Sequence, residues 1–161
     1  SNFSGADLTG AVLDYANLRE ADFTNAVLDE KWARIIDLMT MGNGAGQDFS
    51  NYDLSKADLL HVDLSNANLQ GADLSGANLA FANLSGANLT GANLQNATLG
   101  QVNLYNTDFT NADLRMADLS ETDLRHTIIT EEQIRSADLH CTRMPDGSVR
   151  NKEIDCAPPP P

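Results

Sequence analysis

Cys141, Cys156, His126 and His140 are the side chains best suited to covalent or metal chemistry, and all four fall in the last part of the chain. Two cysteines spaced this way can close a loop of about fifteen residues, for which chain entropy gives roughly 3 kcal/mol of stabilisation. With His126 and His140 they also offer thiolate and imidazole donors to a metal, although no CxxC or HxxxH spacing organises them. A pair of reduced thiols is the third reading. A disulfide between Cys141 and Cys156 is the expected state, and it implies an oxidising compartment. No Ser-His-Asp set, HExxH motif, glycine-rich phosphate loop or dinucleotide fingerprint occurs. The chain therefore presents no catalytic, cofactor-binding or metal-ligating constellation, and it is expected to be neither an enzyme nor dependent on a cofactor.

What must position these residues is a phrase of five. From Ala67 to Leu99 it reads Ala67-Asn68-Leu69, Ala72-Asp73-Leu74, Ala77-Asn78-Leu79 and onward without losing phase. A period of five matches neither a helix nor a strand, either of which would scatter the leucines over every face. The leucines share one interior only if the backbone turns a corner after each phrase, and stacked coils then bury what one coil cannot. The 161 residues, 42% hydrophobic but only 6% aromatic, suit a narrow core of Leu and Ala.

These A(D/N)LXX phrases resemble those of the pentapeptide-repeat family, over Asn2–Leu28 and Gln47–Leu124. The resemblance implies an all-β solenoid, a right-handed quadrilateral β-helix with four phrases to the coil. Counting by twenty then places Phe3 on Phe23, and a spacing of about 4.8 Å per coil gives a rod roughly 25–35 Å long. Residues 1–139 are expected to form the rod, interrupted at 29–47, and residues 140–161 a cysteine-framed loop with a proline-rich tail. Within the interruption, Trp32, Ile35, Ile36 and Met39 fall on one helical face. A helix over 29–41, capped by Asp29 and leaving through a flexible Gly42–Gly46, is read as a lateral excursion, with an end cap as the alternative. The central positions resume at Phe49. After Leu124, Thr130-Glu131-Glu132-Gln133 is a capping box, predicting a short helix that caps the C-terminal end of the rod.

Most of the chemistry on the outside is carboxylate. Asp fills the position before the central residue at 7, 22, 53, 58, 63, 73, 108, 113, 118 and 123, and the formal net charge is −13. Asp63 and Asp123 share one side, with Asn83 and Asn103 between them, so the rows are read as solubilising side chains rather than cation sites or acid–base pairs. Such a surface disfavours direct nucleic-acid binding and membrane adsorption, and no apolar run is long enough for a membrane-spanning helix. One outward group is less polar. Leu60, His61 and Phe81 should gather outside the core with Tyr105 around the next corner, as a patch for an unknown protein partner, unless the Trp32 helix folds over it.

These features describe a monomeric, acidic, non-enzymatic structural or protein-interaction module. The cysteine-framed tail resembles those of family members exported to the thylakoid lumen of chloroplasts and cyanobacteria, or to the periplasm, which suggests the lumen as the site of action. The family also contains DNA-mimicking inhibitors of type II topoisomerases such as gyrase. This is the alternative function, although a rod of this length spans only about 7–10 base pairs at 3.4 Å each.

Overall fold

The corner after each phrase is a β-turn. Ala72 N–H donates to the Leu69 carbonyl at 3.1 Å and Ala87 N–H to Leu84 at 2.9 Å, and the same bond recurs along the chain. The third residue of these turns holds a positive φ, 66° at Gly71 and 56° at Asn66, which marks type II geometry. Four corners return the chain to its starting side after twenty residues, so Asp63 bridges Asn83 and Asn83 bridges Asn103, all in parallel. Leu64 N–H donates to Asn83 O at 2.8 Å and Leu84 N–H to Asn103 O at 2.9 Å, tying each coil to the next. This computed structural model describes residues 1–150. Cys156 and the proline-rich tail expected from the sequence lie outside the described residues.

Leucines from all four sides of the coil, with their small neighbours, fill the interior. Leu54, Leu64, Leu74, Leu84, Leu94 and the leucines between them are fully buried, as are Ala72, Ala77 and Ala117. Phe3 and Phe23 stack at 5.2 Å between ring centres, as counting by twenty predicts. Where threonine replaces the inward alanine, its hydroxyl is satisfied internally. Thr107 donates to Leu84 O at 2.8 Å, and Thr122 and Thr142 each donate to Leu119 O at 2.7 Å.

The solenoid has two parts with helix α1 (Glu30–Met41) between them. Asn2 bridges Asp22 and Asp7 bridges Val27 in the first part, and the continuous ladder begins with Asn43 bridging Asp63. Among the described residues no parallel bridge joins the two parts. They meet at one corner instead, where Tyr15 N–H donates to Lys56 O at 2.8 Å and Lys56 pairs with Asp14 at 3.0 Å. The buried face of α1 carries Trp32, Ile35, Ile36, Leu38 and Met39, and shares one core with Leu13, Leu18, Phe23 and Leu28. Asp29 takes the N-cap position, but its side chain does not cap the helix. Its carbonyl accepts from Ala33 within the helix, so its carboxylate takes over in the coil and accepts from Gly10 N–H at 2.9 Å.

The ladder resumes at Gly44, one phrase before the Phe49 expected from the sequence, and Gly42–Gly46 is part of a coil rather than a flexible exit. Gly44 N–H donates to Asp63 O and Gly46 N–H to Ser65 O, as at any leucine-centred phrase. A Cβ at Gly44 would lie 2.6 Å from Leu38 Cδ2 and 2.9 Å from Leu64 Cδ2. The helix supplies the side chain that the coil omits. Glycine at a core position hides the phrase from a pattern search.

The C-terminal helix is likewise in line with the rod rather than across its end. Helix α2 (Glu131–Ser136) forms one side of a coil and places Ile134, fully buried, at the central position. Thr130 and Gln133 make the expected capping box. Because the Gln133 N–H is engaged there, its side-chain amide donates to Phe109 O at 2.6 Å and Ala112 O at 2.9 Å, serving carbonyls of the coil before. The rod continues past the expected boundary at 139. Asp123 bridges Arg143, Met144 is buried as the last central residue, and strand β1 (Thr142–Arg143) pairs antiparallel with β2 (Val149–Arg150).

Candidate functional site

The residue before each central leucine has a structural duty that patterning alone does not reveal. The Asp63 Oδ1 accepts Ser65 N–H at 2.9 Å, and the side-chain amide of Asn83, one coil on, donates to the same atom at 3.1 Å. Asp58 is held likewise by Leu60 N–H and the Asn78 amide. Only a short side chain with an acceptor two bonds from Cβ closes this Asx turn, hence Asp or Asn and not Glu or Gln. The Ser65 backbone and hydroxyl hold the Asp63 carboxyl below the usual carboxylate range. At Asp113 the Arg115 guanidinium is the main cause of the same shift. Each ladder carboxylate therefore uses Oδ1 for the fold, and at Asp58 and Asp63 the second oxygen has no hydrogen-bond partner among the described residues.

The corners differ in what occupies the positive-φ position. One corner carries Gly46, Asn66, Gly86 and Asn106, and the next carries Asn51, Gly71, Gly91 and Asn111. These are the residues that tolerate the left-handed region at least cost. A third mixes Lys56, Gly76, Asn96 and Met116. At the fourth the residues are His61, Phe81, Gln101, Glu121 and Cys141, at φ between 56° and 59°, with no Gly or Asn. Local backbone preference does not select this column, and holding a bulky residue there costs about 1 kcal/mol. Lys56 and Met116 on the third corner hold the same conformation, so the fourth differs from it in carrying such residues at every coil.

The rings of His61 and Phe81 lie 5.0 Å apart, with Leu60 half-buried beside them. Phe81 is 48% exposed, so helix α1 does not cover it. Below them Gln101 donates to Glu121 at 2.9 Å, and the column ends at Cys141. Tyr105, grouped with this patch from the sequence, pairs instead with His126, ring centres 5.0 Å apart, at the neighbouring corner. Tyr105 belongs to the turn of Asn106, a full side of the rod beyond the His61–Phe81 column, and its ring meets His126 one coil on. No cysteine among the described residues is free. The expected partner Cys156 lies outside them. Among the described residues no cluster of three or more His, Cys, Asp or Glu side chains could hold a metal ion, and no helix is long and apolar enough to cross a membrane.

A solenoid with five-residue sides, Asx-braced faces and type II corners defines a repeat-scaffold protein. The chain belongs to the pentapeptide-repeat family: the family described as pentapeptide repeats matches in eight copies, over residues 1–30, 46–71, 57–96 and 87–125. Members of this family fold as right-handed quadrilateral β-helices. Among solved structures, a pentapeptide repeat protein from Nostoc PCC 7120 is 29% identical over 67% of this chain and 94% of its own, with a TM-score of 0.42. A pentapeptide repeat protein from the Arabidopsis thaliana thylakoid lumen is 30% identical over 57% of this chain and 72% of its own, with a TM-score of 0.26. QnrB1, a plasmid-mediated fluoroquinolone resistance protein, is 21% identical over 88% of this chain and 76% of its own, with a TM-score of 0.32. No curated protein matches the chain.

Proposed function

We propose that this chain is a non-enzymatic protein-interaction module that presents the corner at Leu60, His61 and Phe81 to a protein partner in the thylakoid lumen. The observation that carries the reading is the turn-residue column itself. His61, Phe81, Gln101 and Glu121 occupy left-handed positions with no Gly or Asn among them, whereas two other corners carry only Gly and Asn and a third is mixed, and two of the four form an exposed ring pair. A rigid scaffold that holds such side chains without further ordering spares a partner much of the entropic cost of docking. Tyr105 joins the surface from the adjacent corner as a secondary contact.

The compartment follows from the proposed bond between Cys141 and Cys156, which persists only where thiols are oxidised. Intact mass measurement after thiol labelling without reductant tests it, with two unlabelled cysteines as the expected result. Two labelled cysteines would remove the ground for an extracytoplasmic site. Docking is tested by partner capture from a lumenal extract with the double variant Leu60→Ser, Phe81→Ser. Loss of the captured partner with an unchanged circular dichroism spectrum supports the reading, and capture at the original level rejects it.

A further inference from the structure

We infer that the chain's own proline run, Pro158–Pro161, covers this corner in the free protein by lying against the open face of Phe81. This rests on the docking reading above and adds what a partner must displace. The described residues end at Arg150, and the last of them direct the chain to this corner. Strand β1 leaves the fourth corner just after Cys141, and β2 runs back along it with Arg150 opposite Thr142. The next step of that register is Cys141 itself, the last residue in the column of His61, Phe81, Gln101 and Glu121. The chain is thus at the foot of the column as it leaves the described residues. Cys141 is not free, and the bond proposed above to Cys156 returns the chain to the same place.

Length and chemistry both fit. Phe81 stands three coils from Cys141, about 14 Å at the spacing of stacked strands. Ala157–Pro161 are the five residues after Cys156, and a proline run rises about 3.1 Å per residue, so the five span about 15 Å. His61 covers the Phe81 face turned to the preceding coil, with ring centres 5.0 Å apart. The opposite face looks along the column toward Cys141. Gly100 brings no side chain to it, and Gln101 donates to Glu121, one coil further on, at 2.9 Å. Phe81 is therefore left exposed on the side facing Cys141. Proline-rich segments dock against aromatic side chains, and an uncharged one needs no counter-ion on an acidic rod. Tethered to the same molecule, the run meets Phe81 at an effective concentration on the order of millimolar, so a contact too weak to join two molecules is populated within one.

The test is photo-crosslinking within the purified whole chain, free of any extract. A photoreactive phenylalanine analogue is placed at Phe81 and, separately, at Asn111 on another corner, and the joined peptides are identified by mass. The expected result is a link from position 81 to Ala157–Pro161 of the same molecule, and none to that segment from 111. Replacing the run by Pro158→Ser, Pro159→Ser, Pro160→Ser and Pro161→Ser keeps the tether but removes the rings, and should lower the yield from position 81 about threefold or more. No link to the run, links only between two molecules, equal yields from 81 and 111, or a yield that serine leaves unchanged would each overturn the inference. Should the link be absent while Leu60→Ser, Phe81→Ser still abolishes partner capture, the docking reading stands and only the cover fails.

Discussion

Two single positions test whether side chains or backbone decide the local structure. Gly44 sits where every neighbouring coil has a large apolar residue, because Leu38 already fills that volume. Gly44→Leu should cost about 2–3 kcal/mol through overpacking. Urea unfolding followed by the fluorescence of Trp32, the sole tryptophan, measures it. Leu38→Ala in the same chain should recover part of that loss, since the two substitutions compete for one space. Met116 gives the opposite sign. It is 73% exposed at φ 58°, so Met116→Gly should raise stability by about 1 kcal/mol in the same unfolding experiment. The first position was not legible in the sequence, since a core glycine looks like a loop. The second was invisible for another reason: the five-residue period locates the corner but says nothing of its φ.

At the scale of elements, both helices show how a repeat accepts an interruption. Helix α1 takes the coil out of register yet keeps its core by facing inward, and Asp29 lends its carboxylate to the Gly10 N–H that its own carbonyl no longer serves. Helix α2 keeps the five-residue count through Ile134, and Gln133 replaces a backbone donor with a side-chain one. Gln133→Ala should therefore cost about 2 kcal/mol, a lost cap plus carbonyls left short of a donor, measured by thermal or urea unfolding. A loss below about 0.5 kcal/mol would mean that water replaces the amide at no cost. The sequence made both helices readable through their apolar spacing and capping box. It did not show that the second lies within the rod, because that depends on the backbone bonds at Asp123 and Arg143 that carry the coil to Met144.

At the scale of the whole molecule, the ladder carboxylates link stability to pH. The folded state holds Asp7, Asp22, Asp48 and Asp63 below their ordinary values through hydrogen bonds from the residue two places on. The native chain thus binds fewer protons than the unfolded one. Its stabilisation is present above the unfolded value of about 4 and is lost as pH falls through the lowered folded values. Thermal midpoints should fall below about pH 4, and Asp48→Asn with Asp63→Asn should shrink that fall. The architecture was legible in the chain because the five-residue period is repeated so often that a few odd phrases cannot disguise it. The corner proposed for docking was legible only in part. Leu60, His61 and Phe81 fall on one column by counting, but the exclusion of Gly and Asn from that column, and the pairing of Tyr105 with His126, required the turns themselves. The most direct test of the corner as the working surface is site-specific photo-crosslinking in lumenal extract, with a photoreactive phenylalanine analogue at Phe81 and, separately, at Asn111, which shares its backbone conformation on a different corner. A crosslinked partner from position 81 and none from 111 is the predicted result; equal crosslinking from both, or from 111 alone, would contradict it.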